Sequence, residues 1–353
     1  MTALASGPCP GGMIVAGEFW PGATGRALAA GLRRQGWMVG EVDLQHFLVA
    51  GGSLAARLLH RAAMRLSVRA YNAAILDAVR RSGARVFLAL KGGLIAAETL
   101  DALRAMGCLT VNFYPDVEFE HAGFNRDLIA HYDLVITTKR FHRDWLDGAV
   151  GPARHCFVPH GFDPDLHRDR SPASEADYRT DICFIGTYSD YKRDFLMPLA
   201  GRPRFAIWGG GWNKGAAGTP LAAHVQPGAI IGDFYADAIG HSRISIALHH
   251  GPVHTPGWED EVSTRSFEIP ACGGFMLHID KPELHEFYRV GEEVAVFSDH
   301  ASLLAEVDRY LADPERRRAI ARAGHARAVP AYSVDQRAAL VSAEIMARIT
   351  AAT

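Results

Sequence analysis

The strongest constraint on the fold is an alternation of short apolar runs with amphipathic stretches, which continues along most of the chain. Strands that alternate with helices form parallel sheets covered by helices. The pattern therefore predicts an α/β protein. The predicted strands lie at residues 13–17, 37–42, 85–90, 109–113, 134–137 and 156–159 in the first half, and at 182–185, 205–208, 229–231, 244–248 and 275–278 in the second. The predicted helices include 23–35, 53–81, 94–105, 141–147 and 333–349.

The alternation is interrupted between residues 160 and 180, where prolines, aspartates and arginines replace the apolar periodicity. We interpret this segment as a linker between two blocks. We predict that each block forms a Rossmann-like, doubly wound domain. The two domains are expected to face each other across a cleft. The predicted domains are residues 1–165 and 166–330, with a C-terminal helix in 331–353 that crosses back to the first domain.

Composition argues against several classes of function. The chain of 353 residues has a net charge of -2, which gives no basic field for nucleic acid or for an anionic membrane. No apolar run approaches the roughly 18 residues of a membrane span, and the N-terminus lacks the basic start and apolar core of a signal peptide. The five cysteines are scattered without a CxxC pair, which favours the reducing cytoplasm over disulfides or a zinc site.

The stretch from residue 260 to 277 carries the most specific chemistry. Asp260 and Glu268 are eight positions apart, Arg265 lies between them, and a Gly-Gly turn precedes an apolar run. A helix over residues 263–272 would direct its N-terminus, with Arg265 beside it, at an anionic ligand. Glu268 would lie one turn deeper. This arrangement predicts a sugar-nucleotide site, in which the cation and backbone amides hold the diphosphate and the carboxylate holds sugar hydroxyls.

Glycines and basic residues after two strands of the second block extend this site. Small residues that follow a strand allow backbone amides to approach a phosphate, and Lys or Arg neutralises it. For Lys192 and Arg193, the alternative is that they lie at the solvated start of a helix. For Tyr235, the alternative is a position in the core. One histidine near residue 249 is expected to line the site, because the local histidine spacing fits no common metal motif. The predicted donor-binding residues are Gly186, Thr187, Lys192, Arg193, Gly209, Gly210, Tyr235, His249, Arg265 and Glu268.

The first block carries polar residues at the ends of its predicted strands. The loop that starts at Gly17 and Glu18 is glycine-rich, but its spacing differs from GxGxxG, which argues against dinucleotide binding. We interpret it as a loop near a reacting sugar, with a plain strand-to-helix turn as the alternative. Asp116 is expected to act as a general base or to orient an acceptor hydroxyl, unless it only caps a helix. Lys91 and His121 complete the prediction of acceptor-side residues.

These motifs resemble those of two-domain GT-B glycosyltransferases, in particular the CgeB-like, spore-maturation-protein group of the glycosyl transferases group 1 superfamily. The stretch that begins at Arg265 is similar to that group's R-x-F-E-x-x-A-C-G-G pattern. The similarity extends to Phe184-Ile-Gly-Thr, to the Trp208-Gly-Gly-Gly-Trp212 turn and to His160-Gly-Phe-Asp. It covers most of the chain, and its specific motifs lie in the second half.

The resemblance implies a transferase that moves a sugar from a nucleotide-diphosphate sugar to an acceptor hydroxyl, in the synthesis of a bacterial glycan or glycoconjugate. The second domain would bind the donor and the first domain the acceptor. Glu268 matches the second glutamate of the superfamily's E-x7-E motif, which holds the ribose or nearby hydroxyls, and Asp260 stands where the first belongs. Both would be catalytic, together with Asp116. Arg193 and Arg265 would stabilise the leaving diphosphate without a metal, and the anomeric configuration would be retained.

From the sequence alone, other functions stay open beside the transferase. One is a nucleotide-sugar epimerase of the same fold, and another is a non-catalytic protein that binds a nucleotide sugar. A nucleotide-cofactor oxidoreductase is also compatible with alternating strands and helices, since that pattern hosts many functions. The missing GxGxxG argues against the oxidoreductase. No cofactor is expected beyond the sugar donor itself.

Overall fold

A computed structural model describes residues 11–48, 54–119, 124, 126–253 and 255–351, the side chains of 54–62 excepted. The chain forms two compact units. Unit 1 comprises the chain up to Pro159 and from Asp335 onwards, and unit 2 comprises His160–Val334. Each unit contains a parallel sheet covered by helices, so the predicted α/β fold class is confirmed.

Unit 1 is built on a six-stranded sheet whose neighbouring strands are all parallel. Its strands are β1 (Gly12–Gly17), β2 (Met38–Asp43), β3 (Val86–Leu90), β4 (Leu109–Tyr114), β5 (Leu134–Thr137) and β6 (His155–Phe157). They lie in the order β2-β1-β3-β4-β5-β6. Its first four helices are α1 (Thr24–Arg34), α2 (Leu54–Ser82), α3 (Ala97–Ala105) and α4 (Arg143–Ala149). Short 3-10 helices lie at Leu44–His46, Arg126–His131, Arg140–His142 and Pro152–Arg154.

Unit 2 is built on a five-stranded sheet that is also parallel throughout. Its strands are β7 (Thr180–Ile185), β8 (Phe205–Trp208), β9 (Ser242–Ala247), β10 (Met276–Ile279) and β11 (Ala295–Phe297). They lie in the order β11-β10-β9-β7-β8. Its helices are α5 (Asp190–Leu196), α6 (Trp212–Gly215), α7 (Asp233–Gly240), α8 (Arg265–Ala271), α9 (Leu284–Phe287), α10 (His300–Ala312) and α11 (Pro314–Ala328). Short 3-10 helices lie at Glu175–Asp177, Met197–Gly201 and Pro220–His224.

The last helix, α12 (Val334–Ala351), follows unit 2 in sequence but packs within unit 1. Arg34, at the end of α1, donates a hydrogen bond from Nε to Asp335 Oδ1 at 2.8 Å. The buried Trp37, just before β2, donates from Nε1 to Ser342 Oγ at 2.9 Å. The C-terminal helix is therefore part of the structure that surrounds the first sheet.

The segment from residue 160 to 178, which we call the connecting segment, is an ordered part of unit 2 and not a free linker. Phe162 is buried among the apolar side chains of that unit. Glu175 accepts hydrogen bonds from Arg243 and from Arg317, which is itself only 1% exposed. The composition misled the interpretation, because charged residues of this segment, among them Glu175 and Arg170, form ion pairs with the rest of unit 2.

Two other expectations about secondary structure are wrong. Residues 229–231 do not form a strand, since they lie between two glycines with positive φ, and Ile231 is 44% exposed. The third helix starts at Ala97 and not at residue 94, because Leu94 has a φ of 63° and cannot belong to a right-handed helix. The three-residue strand β11 was not predicted, since so short a run is not distinctive in a sequence.

Candidate functional site

Helix α8 carries the predicted donor-site motif, and local chemistry fixes its last turn and its C-terminal end. Pro270 has no N–H to donate to the carbonyl of Ser266 one turn earlier. The Tyr288 hydroxyl donates to that carbonyl instead, at 2.9 Å. Gly273, with a φ of 75°, and Gly274 donate to carbonyls of the last turn, both at 3.0 Å, in a Schellman termination. The Gly-Gly pair of the sequence motif is thus the helix stop.

Arg265, the first residue of α8, lies where the strand order of unit 2 reverses. Its Nη2 donates to the carbonyl of Leu248, directly after β9, at 3.2 Å. Its Nη1 lies beside Gly186, directly after β7, where an added Cβ would be 3.0 Å away. Because β7 and β9 are neighbours, the guanidinium occupies the crevice outside their carboxyl ends. Ligands of doubly wound sheets bind in this crevice.

Lys192, in α5, is a second cation of this region. It is 5% exposed, and its Nζ donates to the carbonyl of Thr187 at 2.9 Å. Burial, followed by the charge of Arg265, lowers the pKa of Lys192 to about 8, while the carboxylate of Asp260 opposes that shift. The charges of Arg265 and Asp260 therefore both act on Lys192. An anion that binds beside both cations would relieve their mutual repulsion.

The loops that follow β7 and β8 lie directly against each other. The N–H of Gly186 donates to the carbonyl of Trp208, and the N–H of Tyr188 donates to that of Gly210, both at 2.9 Å. A Cβ on Gly209, whose φ is 142°, would lie 2.0 Å from the carbonyl oxygen of Gly186. Glycine is required there because the two backbones approach closely. The predicted glycines of the donor site thus hold two strand-end loops together.

Glu268 lies one turn after Arg265 and contacts two side chains outside α8. Its Oε2 accepts a hydrogen bond from the Tyr235 hydroxyl at 2.7 Å, and its Oε1 lies 3.9 Å from His167 Nε2. Burial, followed by the charge of Glu268, raises the pKa of Tyr235 well above its usual value, so the phenol remains a donor. His167 was not predicted, because it lies in the segment that was interpreted as a linker.

His249 lies beneath the crevice, in a network of buried polar side chains, and is 1% exposed. Its Nδ1 lies 2.8 Å from Ser263 Oγ and its Nε2 lies 2.8 Å from His278 Nε2. Ser266 Oγ is also 2.8 Å from His278 Nε2. Burial lowers the pKa of His278 to about 4, so this imidazole is neutral near pH 7. The network joins β9, β10 and the start of α8.

Arg193 differs from its neighbour Lys192 in its contacts. Its guanidinium forms ion pairs with Asp190 at 2.8 Å and with Asp194 at 2.7 Å, both on α5 and both exposed. It also donates to the Tyr188 hydroxyl at 3.0 Å. The structure therefore brings Lys192 and Arg265 together, whereas it engages Arg193 with carboxylates of its own helix.

The acceptor-side residues lie at the carboxyl edge of the unit 1 sheet. Gly17 and Glu18 end or follow β1, and Trp20 Nε1 donates to Glu18 Oε2 at 3.5 Å. Lys91, directly after β3, forms a 2.9 Å ion pair with Asp116, which follows β4. Lys91 has a φ of 62°, a conformation that non-glycine residues rarely adopt and that is common at functional sites. Strand order reverses between β1 and β3, so this edge is also a switch point.

His121, one of the predicted acceptor-side residues, lies outside the described residues. Within the described ranges, no group of three or more His, Cys, Asp or Glu side chains is arranged to hold a metal ion. No helix in that same part of the chain combines the length and apolar character that crossing a bilayer requires.

Comparison with protein families places a glycosyl transferase-like family over residues 187–343 of this chain. The matched part includes α5, α8 and the loops between them, and it continues into α12. No curated protein sequence matches the chain significantly.

Solved structures resemble almost the whole chain. Sucrose-phosphate synthase from Thermosynechococcus elongatus has a TM-score of 0.69 at 16% identity, over 97% of this chain and 100% of that one. A glycosyltransferase from Rickettsia africae has a TM-score of 0.65 at 12% identity, over 96% and 98%. HepE from Anabaena, solved with UDP and glucose, has a TM-score of 0.61 at 14% identity, over 95% and 99%.

The protein therefore has the GT-B glycosyltransferase fold, as the sequence predicts. The family match and the shared fold together support the prediction that it is an enzyme of the glycosyltransferase class.

Proposed function

We propose that the protein is a glycosyltransferase that takes a sugar from a nucleoside-diphosphate sugar and needs no metal ion. The observation that carries this proposal is the placement of two cations, the buried Lys192 and Arg265, at the strand-order reversal of unit 2. Glu268 lies one turn away on the same helix. The UDP in the HepE structure supports UDP as the nucleotide of the donor.

The two cations would act on the leaving group. When the bond between the sugar and the phosphate breaks, negative charge develops on the diphosphate. Arg265 and Lys192 are already in place to stabilise that charge, and preorganised charges contribute more to catalysis than groups that must first rearrange. They supply the positive charge that a metal would otherwise bring. Asp260, whose carboxylate favours the charged form of Lys192, maintains this cation near neutral pH.

Glu268 would read the hydroxyl groups of the donor. Its carboxylate has about four acceptor sites on two oxygens. The hydrogen bond from Tyr235 uses one of them, and the side chain retains 15% of its exposure. The resemblance to the E-x7-E motif, together with the matching positions of Asp260 and Glu268, supports retention of the anomeric configuration. The R-S-F-E-I-P-A-C-G-G stretch supports membership of the CgeB-like group.

Unit 1 would bind the acceptor at the carboxyl edge of its sheet. Glu18, Lys91 and Asp116 follow neighbouring strands there, and Asp116 would orient or deprotonate the acceptor hydroxyl. Trp20, which is 40% exposed, adds an aromatic surface beside Glu18. Carboxylates, an amine and an aromatic ring suit a ligand that is rich in hydroxyl groups.

Nucleotide binding by the full chain tests the donor site. UDP is expected to raise the melting temperature of the parent protein, because a ligand of the folded state stabilises it. Arg265→Ala is expected to weaken UDP binding, measured by calorimetry, by at least about tenfold, which corresponds to about 1.4 kcal/mol. Glu268→Ala is expected to slow hydrolysis of UDP-glucose by a similar factor.

The matched control is Arg202→Ala, since Arg202 forms a surface ion pair with Asp308 in the same unit, at 2.7 Å. This variant is expected to bind UDP like the parent. If no nucleoside diphosphate stabilises the parent, or if Arg265→Ala binds UDP as tightly as the parent does, the proposed donor site is wrong.

A further inference from the structure

The connecting segment places His167 against the carboxylate that is proposed to hold the donor. We propose that His167 is a positioning residue, which fixes the orientation of Glu268 without touching the donor itself. This inference rests on the proposed function, in which Glu268 accepts hydrogen bonds from donor hydroxyls. It assigns a role in the donor site to a segment whose composition suggested a linker.

The hydrogen bonds of His167 define which ring nitrogen carries the proton. The backbone N–H of Asp163 donates to His167 Nδ1 at 3.0 Å. Because Nδ1 is an acceptor there, the proton of the neutral ring is on Nε2. Nε2 faces Glu268 Oε1 at 3.9 Å, which is too long for a hydrogen bond but close enough for the N–H dipole to attract the carboxylate. The His167 side chain is only 8% exposed, and such attraction is stronger away from water.

The two oxygens of Glu268 are therefore directed by two different elements. Tyr235, on α7, donates to Oε2 at 2.7 Å, whereas His167 faces Oε1. The ring centroids of Tyr235 and His167 are 5.2 Å apart, so the two side chains that face the carboxylate also pack beside each other. A carboxylate that is already oriented loses less conformational freedom when a ligand binds, and this increases affinity.

Residues that follow His167 anchor the connecting segment to both helices of this cluster. The N–H of Arg170 donates to the carbonyl of Cys272, at the end of α8, at 3.1 Å. The Arg170 guanidinium pairs with Asp233, at the start of α7, at 2.7 Å. Asp169 Oδ1 lies over Gly273, where a Cβ would be only 2.1 Å away. The segment therefore holds His167 at a defined position relative to Glu268.

Two substitutions of His167 test the roles of the two ring nitrogens separately. His167→Asn retains an acceptor at the place of Nδ1, for the Asp163 N–H, but has no group that reaches Glu268. His167→Gln retains a donor at the place of Nε2, towards Glu268, but loses the acceptor at the place of Nδ1. If His167 has a purely structural role, the acceptor at Nδ1 is what matters. If it positions Glu268, the donor at Nε2 is what matters.

The readout is the ratio of the affinities for UDP and 2′-deoxy-UDP, measured by calorimetry on the full chain. If Glu268 holds the ribose hydroxyls, the parent prefers UDP and Glu268→Ala loses this preference. The positioning role predicts that His167→Asn lowers the ratio at least about fivefold, whereas His167→Gln stays within about twofold of the parent. His167→Asn is expected to melt within a few degrees of the parent.

The opposite pattern would overturn the inference: a parent-like ratio in His167→Asn, with lower stability and equal weakening of both ligands in His167→Gln. If Glu268→Ala loses the preference while both His167 variants keep it, the inference fails and the proposed function stands. If Glu268→Ala binds both ligands as the parent does, the proposed contact between Glu268 and the ribose hydroxyls is wrong, and the inference is wrong with it. Tyr235→Phe, which removes only a hydroxyl, is expected to lower the ratio as His167→Asn does.

Discussion

At the scale of single residues, Lys192 is a buried cation whose charge depends on pH in an accessible range. Its pKa is about 8 in the folded protein, against an ordinary value of 10.5. Between these two values the folded state has lost the proton and the unfolded state still binds it. Stability therefore rises with pH across this interval. The charge available for a diphosphate decreases over the same interval.

UDP affinity is accordingly expected to fall as the pH rises through about 8. Lys192→Met should bind UDP more weakly at neutral pH and lack this decrease, because the titrating group is gone. Titration calorimetry at several pH values from neutral to alkaline measures both effects. The matched control is Lys214→Met, which removes an exposed lysine of the same unit. Equal pH profiles for the parent and Lys192→Met would contradict this assignment.

The sequence predicted the relative positions of individual residues where those residues lie in one continuous stretch. Arg265 and Glu268 were expected to lie close together because helical spacing places them one turn apart, and the structure has both on α8. His167 was missed because its relation to Glu268 joins positions that are far apart in the sequence. No local pattern carries information about such a contact. Arg193 was chosen with Lys192 on the basis of charge, and only the structure separates their surroundings.

At the scale of secondary structure, the His249–His278 network ties α8 to two strands, and the imidazole of His278 in it is neutral near pH 7. Burial lowers the pKa of His278 to about 4, against an ordinary value of 6.5. Below the ordinary value the unfolded chain binds a proton that the folded state does not. Stability is therefore full above about 6.5 and decreases as the pH falls towards 4.

When the pH is lowered from neutral to mildly acidic, the melting temperature of His278→Gln is expected to fall less than that of the parent. The variant itself should be less stable at neutral pH, because it leaves part of a buried polar network unpaired, at a cost of about 1–3 kcal/mol. Thermal unfolding at the two pH values measures both effects. The control is His285→Gln, at a position that is half exposed. Its melting temperature should fall as much as that of the parent. The hypothesis is wrong if His278→Gln shows the full loss of the parent.

Most elements were predictable because their burial is uniform along the strand. β3, β5 and β10 are buried at every position, as expected for strands covered by helices on both faces. Such strands leave continuous apolar runs in a sequence. The connecting segment leaves none, because its order comes from hydrogen bonds and ion pairs with distant residues. Its structure therefore could not be inferred from composition or periodicity.

At the scale of the whole molecule, unit 2 is one continuous stretch of chain, whereas unit 1 needs both ends of it. The fragment 160–334 is therefore expected to unfold cooperatively and to bind UDP with the affinity of the full chain. Circular dichroism and calorimetry test these two expectations. The fragment 1–159 is expected to be unstable, because it lacks the partners of Trp37 and Arg34 on α12. A 160–334 fragment without a cooperative transition would contradict this description.

The chain begins and ends unit 2 at neighbouring points. The N–H of Phe162 donates to the carbonyl of Tyr332 at 3.1 Å, and the N–H of Val334 donates to the carbonyl of Phe162 at 2.8 Å. Both passages of the backbone thus form a single seam. A foreign segment grafted in place of residues 160–334 would therefore join the chain at two points that lie side by side, and both ends of the chain, which build unit 1, would keep their own sequence.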